Sequence, residues 1–341
     1  MHASPGSTPS PLISVVMPIY NAQSHLRQAL ASILAQDFED FEVVAVNDGS
    51  TDDSGGILQQ FAARDRRVRV IEQRNRGLVG ALNRGLEESR GRLLARMDAD
   101  DVAMPERFGK QVRFLQQHPA VLAVGTAIMN MDCDGDRLNV QILPTEAPAI
   151  DDQLMHRRTG LAHPSVMMRR EAVEAVGGYR AEFEWIEDHD LWLRLSERGP
   201  LANLPDVLLC YRQHLKSCSW NNSVLRTRRI NAVMRTAYQR RGLALPPHLV
   251  LDETRPRSAG GPHKWMRAAT RSGQWSTAAK HTLAQWRQRP LSPLTLRSTI
   301  EAAARSLLTI VYRPAPLPAV PTFTADQLCL TPSPPRTSHA A

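Results

Sequence analysis

Short β-branched apolar runs alternate with amphipathic stretches along the first hundred residues of this 341-residue chain. The runs at 13–18, 41–46, 68–71 and 91–95 have the length and composition of strands covered on both faces. Between them, 24–34, 57–62 and 77–89 read as helices, the first carrying Leu26, Leu30, Ile33 and Leu34 on one face. Such alternation demands right-handed crossovers and a mostly parallel sheet, and so predicts an α/β fold. In sheets of this kind ligands bind beyond the carboxyl ends of the strands. The loops that leave those ends therefore carry the functional argument.

Three of these loops are informative. Residues 96–101 hold Asp98, Asp100 and Asp101, three carboxylates in four positions, between a strand and a helix expected over 105–118. Packed together they repel, and oxygen ligands of this type suit hard divalent ions such as Mg²⁺ or Mn²⁺, which usually also hold phosphate oxygens. A solvated acidic loop is the plainer alternative. In the second loop, Asp48 directly follows its strand and opens an Asp-Gly-Ser-Thr-Asp turn. Its carboxylate can accept the ring N–H of uracil or thymine alike, while Ser50 and Asp52 are equally readable as helix caps. In the third, Arg76 and the start of the helix it precedes can face phosphates, with Asn75 as a simple N-cap the alternative. No Gly-x-Gly-x-x-Gly follows the first strand, and no P-loop lysine motif is present. The acids between Asp132 and Asp136 lack a strand-end position and read as a solvated turn.

A second informative region spans 163–214. His163 to Arg169 reads as a strand, followed by a helix over 170–176 that stops at Gly177 and Gly178. Leu191, Trp192 and Leu195 then form an apolar face that puts Asp188 in the first turn of a helix, beside Glu187 and Asp190. Acids at that position are favoured by the helix dipole, and a general base there is the functional alternative. A strand over 205–211 leads into Arg212-Gln213-His214.

Charge divides the chain. From Arg212 onward there are 20 Lys and Arg against 4 Asp and Glu, whereas residues 1–211 hold 22 against 30. This predicts a slightly acidic catalytic body over 12–217, a basic helical extension over 218–313 and a Pro-rich disordered tail over 314–341. Helices are expected over 224–241, over 263–289 in two pieces around Gly273, and over 298–311. Trp265, Trp275, Leu283 and Trp286 fall at helical spacing, as a small core or as a surface for anionic membrane. Residues 1–11 are Ser- and Pro-rich, read as disordered, and lack the basic and apolar regions of a signal peptide. The longest apolar stretch, 120–131, is too short to span a bilayer. Four unpatterned cysteines suggest neither a disulfide framework nor a metal cluster. The expected location is cytoplasmic, with peripheral contact at the membrane face through the basic region.

The motifs together resemble family-2 glycosyltransferases, over residues 12–217. Val16-Met17-Pro18-Ile19-Tyr20-Asn21 is similar to the family's opening strand and turn. Asn47-Asp48-Gly49-Ser50-Thr51-Asp52 is similar to its base-binding loop, with Asn47 standing where aspartate is commoner. Residues 95–101 resemble the DxD metal loop, Glu187-Asp188 the acid pair that supplies the base, and residues 211–214 the segment closing over the donor. The resemblance implies a nucleotide-binding GT-A fold and inverting transfer from a nucleoside-diphosphate sugar, UDP first and dTDP next. The acceptor would be a glycan or lipid-linked hydroxyl in surface polysaccharide synthesis. It implies donor contacts from Pro18, Tyr20, Asn21, Asp48, Arg76 and Asp98. Asp98 and Asp100 would hold the divalent cation with His214, for which a surface histidine is the alternative. Asp188 would be the base, and His163, Arg169 and Trp185 would border the acceptor or simply pack. A sugar nucleotidyltransferase is disfavoured because Pro18-Ile19-Tyr20-Asn21 replaces a Gly-rich basic loop. A basic nucleic-acid-binding protein is disfavoured for want of any recognised nucleic-acid motif.

Overall fold

The computed structural model describes residues 10–214, 223–254, 262–288, 292, 295–297, 299–300, 303 and 316–330. Four strands, β1 (Ile13–Ile19), β2 (Phe41–Asp48), β3 (Val68–Gln73) and β4 (Leu93–Arg96), run parallel in the order β3-β2-β1-β4. They are joined by α1 (Leu26–Leu34), α2 (Ser54–Arg64) and α3 (Gly77–Glu88). Successive residues of β1 serve opposite layers, as the two-residue period of a strand requires. Ile13, Val15, Met17 and Ile19 pack with α1 and α2, while Val16 packs with Leu82 of α3 and with Leu94. That double duty is why the run reads as continuously apolar.

Beyond β4 the sheet becomes mixed. It adds β5 (Val102–Ala103), β6 (Ala123–Met131), β7 (Arg137–Gln141), β8 (Met167–Arg169) and β9 (Leu201–Arg212). The full order is β3-β2-β1-β4-β8-β6-β9-β5, with β7 paired to β6. β6 and β9 are parallel, whereas β8, β5 and β7 each pair antiparallel. Around this half lie α4 (Arg107–Gln117), α5 (Ala147–Met155), α6 (Arg170–Ala175) and α7 (Glu187–Ser196).

The expected division near residue 217 is not a division of the core. Helix α8 (Ser223–Arg240) buries Val233, Met234, Ala237 and Tyr238 against Ile150, Leu154, Trp192 and Leu195 of α5 and α7. The Tyr238 hydroxyl donates to the Met155 carbonyl at 3.2 Å. The two helices expected around Gly273 are α9 (Pro262–Arg271) and α10 (Trp275–Gln288), and Gly273 takes the left-handed φ of 69° that ends the first. Trp265 is core, packed on Leu138 of β7, whereas Trp275 and Leu283 reach the surface. The helix expected over 298–311 lies almost wholly outside the described residues.

Two expectations are corrected. The Pro-rich tail is docked over 316–330: Leu317, Val320 and Phe323 cover Val102, Met129 and Cys210, and Arg27 donates to the carbonyls of Leu328 and Cys329. Arg137 likewise donates to the Leu317 carbonyl at 2.7 Å. Apolar residues spaced between the prolines, together with carbonyls that arginines can reach, supply the contacts that composition alone concealed. The 132–136 turn is not simply solvated. Asp132 is fully buried and accepts from Lys280 Nζ at 2.8 Å and sits 2.9 Å from His281 Nε2, both on α10. Backbone N–H groups of Asp134 and Asp136 also donate to it. Burial opposes its charge, but His281 and Lys280 more than offset this and hold the carboxyl well below its usual range. Asp132→Ala is therefore expected to lower stability by roughly 1–3 kcal/mol, because the backbone N–H groups of Asp134 and Asp136 and the His281 ring lose a buried partner, while Lys280 keeps Asp134 and Asp136. Urea melts measure the loss, and hydrogen exchange should show α9 and α10 losing protection first.

Candidate active site

The site is built where β1, β2 and β4 end together. β1 runs into Tyr20 and Asn21, the latter at a left-handed φ of 51°, and this turn is stitched to the one after β2. Ser50 Oγ accepts from Asn21 N, Asn21 Oδ1 accepts from Thr51 N, and Asp52 accepts from Gln23 N and Ser54 N. Ser50 and Asp52 thus brace one loop against its neighbour as well as serving their own turn. Gly49 has φ 71°, and a Cβ there would lie 2.9 Å from Asn75 N, so no other residue fits the crossing. Asn47 gives its amide to Glu72 at 2.7 Å and accepts from Ser50 N. An aspartate at that position would set two carboxylates against each other, which accounts for the amide.

Asp48 is buried, and one oxygen accepts from Arg76 N at 2.8 Å and Gln73 Nε2 at 2.7 Å. It lines a cleft of about 620 Å³ together with Pro18, Tyr20, Asn21, Asp98, Asp100 and His214. Asn75 and Gly77 reach the same cleft through the loop before α3. Arg76 contributes its backbone to this loop, while the residue itself is exposed. Tyr20, half exposed at 52%, stands at the cleft's edge.

The acidic loop closes the cleft floor. Carboxylate oxygens of Asp98, Asp100 and Asp101 lie within 4.8 Å of one another. Asp98 pairs with the buried guanidinium of Arg96 at 2.5 Å, and Asp100 Oδ2 meets His214 Nε2 at 2.8 Å. Asp101 is fully buried: one oxygen accepts from Arg212 N at 2.8 Å, and the other has no hydrogen-bond partner. Burial first, then the charge of Asp100 and Asp98, pushes Asp101 well above the usual carboxylate range. Burial also raises Asp98, against the pull of Arg96 and with help from Asp100 and Asp188. A divalent cation would relieve this repulsion and meet the orphaned oxygen, so the residues fit one. Spacing suggested Asp98 and Asp100; only the fold brings Asp101 inward. His25, 5.7 Å from the His214 ring, was also missed. Burial, then Arg212 and His214, lowers it to about 4, so it is neutral here. A lone histidine before a helix gives no spacing signal.

Glu184 and Trp185 form one wall of the cleft. Trp185 lines the cleft with φ 71°, rare for a bulky residue, and Arg229 of α8 stacks on its ring at 4.6 Å. Asp188 is half-buried at the start of α7 and lines a second cavity. Its neighbours separate clearly. Asp190 is fully buried and paired with Arg194 at 2.7 Å, a structural ion pair. Glu187 is buried with Oε2 unpartnered, and burial followed by the charge of Asp188 pushes it up to about 8.

The sign of that shift gives a test. The folded state keeps a proton on Glu187 that the unfolded chain releases near 4.5, so stability falls as pH rises from 4.5 to about 8. The slope is at most about 1.4 kcal/mol per pH unit for one proton. Glu187→Gln should flatten that fall in urea melts taken between pH 5 and 8.

The three residues expected near an acceptor part company. Trp185 is in the wall. His163 lies buried beneath it, its Nε2 2.7 Å from the Tyr179 hydroxyl and its Nδ1 3.9 Å from Glu187. Arg169 pairs in register with Leu93, at the opposite end of β4 from the acidic loop, and donates to the carbonyls of Val121 and Leu115. It is a packing residue, placed there because β8 runs antiparallel to β4.

A family model described as Glycosyl transferase family 2 matches residues 14–177. The amylovoran biosynthesis glycosyltransferase AmsE of Erwinia amylovora is 35% identical over 205 residues, which is 59% of this chain and 76% of AmsE. The O-antigen biosynthesis glycosyltransferase WbnJ of Escherichia coli is 30% identical over 210 residues, 60% of this chain and 81% of WbnJ. Among solved structures, S. aureus TarS 1-349 in complex with UDP-GlcNAc has a TM-score of 0.54 at 16% identity, covering 89% of this chain and 92% of that one. The mannosyltransferase PcManGT from Pyrobaculum calidifontis, in complex with GDP-Man and Mn²⁺, has a TM-score of 0.52 at 19% identity, covering 89% and 88%. These likenesses show a GT-A fold. With the strand-end loops that the fold assembles and the extent of the match to AmsE, the chain belongs to glycosyl transferase family 2.

Proposed function

We propose that this enzyme transfers a sugar, with inversion, from a nucleoside-diphosphate donor to a hydroxyl of a growing polysaccharide or a lipid-linked glycan. The observation that carries the reading is the three-aspartate cluster after β4, whose Asp98 and Asp100 line the same cleft as Pro18, Tyr20, Asn21 and Asp48. The base of the donor stacks near Tyr20, beside Pro18 and Asn21, and its ring N–H is accepted by Asp48. Arg76 and the loop before α3 face the diphosphate. Asp98, Asp100 and Asp101, with His214 at their edge, would hold a divalent cation, Mn²⁺ or Mg²⁺, which would supply charge neutralisation for a departing diphosphate. Asp188 takes the proton of the acceptor hydroxyl as its oxygen bonds to the anomeric carbon. The bond from that carbon to the diphosphate breaks on the opposite face, which inverts the configuration.

The names of AmsE and WbnJ support a polysaccharide acceptor, and the UDP-GlcNAc bound to TarS supports a uridine donor. No helix among the described residues is long and apolar enough to cross a membrane. From the exposed Trp275 and Leu283 in the basic region we infer peripheral contact with the anionic cytoplasmic face of the membrane. Calorimetric titration of UDP, dTDP and GDP, with Mn²⁺ and with chelator, tests the donor reading. Metal-dependent binding of UDP or dTDP is expected; no binding of any nucleotide under either condition would overturn it.

A further inference from the structure

The cavity into which Asp188 opens, about 260 Å³, is lined also by Ile186, directly after Glu184 and Trp185, which line the cleft. Its lining is strongly one-signed: Arg157, Arg158 and Arg226 contribute to it, and Asp188 is the sole carboxylate among the described residues that line it. Arg226 belongs to α8, whose other arginines are engaged by acids. Arg228 and Arg235 reach Glu253 at 3.7 Å, Arg229 reaches Glu184 at 3.9 Å, and Arg240 reaches Glu197 at 2.8 Å. Arg226 has no carboxylate partner among the described residues; its Nε makes a long contact, 3.4 Å, to the Trp185 carbonyl. Arg158 has no carboxylate partner among them either, while Arg157 is held at a left-handed φ of 58°. Helix α8 thus neutralises its cations everywhere except at this cavity.

We propose that this cavity receives the acceptor end bearing an anionic group, a phosphate or a carboxylate, next to the hydroxyl that Asp188 deprotonates. The inference rests on the glycosyltransferase reading above and adds the chemical class of the acceptor. Guanidinium forks bind both anions bidentately, and charge-assisted bonds of this kind are the strong ones. The volume is below the ~300–1,000 Å³ of pockets that enclose whole drug-sized ligands, so it takes a terminus and leaves the rest of the acceptor outside. The carboxylate of Asp188 at one side and the arginines at the other orient such a terminus. The anion is drawn to the guanidinium groups and repelled by the base, which leaves the neutral hydroxyl facing Asp188.

The test titrates glucose 1-phosphate, glucuronate and neutral glucose into the full chain, both without nucleotide and with UDP and Mn²⁺ saturating. Both anions, or one of them, should bind at least about tenfold more tightly than glucose, and Arg226→Gln and Arg158→Gln should each remove about tenfold of that affinity. Preference for the phosphate identifies a phosphate-bearing, lipid-carried acceptor, and preference for glucuronate an acidic glycan. Equal binding of glucose, no binding of either anion, or affinities untouched by both substitutions would overturn the proposal. Because the anions are also titrated without nucleotide, failure to bind UDP counts against the donor reading alone. Thermal melts confirm that the variants fold, and Arg158, exposed, carries no packing that its replacement would disturb.

Discussion

Asp188→Asn is expected to lower turnover by about 10²–10⁴-fold, the usual loss on removing a general base, with nucleotide affinity unchanged. The asparagine keeps the shape of the side chain and its contact with His189 N, made at 2.7 Å, so α7 still starts at the same place. What disappears is the capacity to take a proton. The neighbouring substitutions make the result diagnostic. Glu187 is already protonated at neutral pH, so Glu187→Gln should retain most activity. Asp190→Asn strips the counter-charge from buried Arg194 and should reveal itself as lost stability. Single-turnover rates on the three variants, set beside their melting curves, separate chemistry from folding. Full activity in Asp188→Asn would move the base elsewhere.

Asp100→Ala is expected to reduce nucleotide binding in Mn²⁺ to the level seen in chelator and to cost at least about 10²-fold in turnover. Among the three loop aspartates it is the informative choice. Replacing Asp98 leaves the buried guanidinium of Arg96 without its partner, and replacing Asp101 unties the Arg212 backbone, so each confounds binding with folding. Asp100 is one-third exposed and, among the described residues, its side chain is partnered by His214, itself one-third exposed. Thermal stability should therefore change little while metal-dependent binding vanishes. Metal-dependent binding that survives in Asp100→Ala would exclude this loop as the cation's seat.

Much of this arrangement was legible because it follows from local pattern. A β-branched run of six residues flanked by an amphipathic stretch has few alternatives, and the loops after β1, β2 and β4 were correctly placed at one sheet edge. Asp188 at the first turn of α7 followed from Leu191, Trp192 and Leu195 alone. What escaped depends on partners distant in sequence. β5 has two residues and exists only because β9 pairs with it. β7, Arg-Leu-Asn-Val-Gln, is a polar edge with little strand signature. Asp132 becomes buried through Lys280 and His281, nearly 150 residues later, and no window around the aspartate contains that information. Charge composition suggested a boundary near 217, yet the apolar residues that seat α8 on α5 and α7 are interleaved with the arginines that misled it.

The three residues that follow Tyr211 are gripped from both ends. His214 meets Asp100 in the acidic loop, while Gln213 accepts from the Trp265 indole at 2.8 Å and donates to Asn130 at 2.9 Å. Trp265 of α9, outside the matched residues 14–177, is thereby tied through Gln213 to the segment that meets Asp100. A substitution at Trp265 therefore acts on the neighbourhood of Asp100 through Gln213 and His214, without changing any aspartate of the acidic loop.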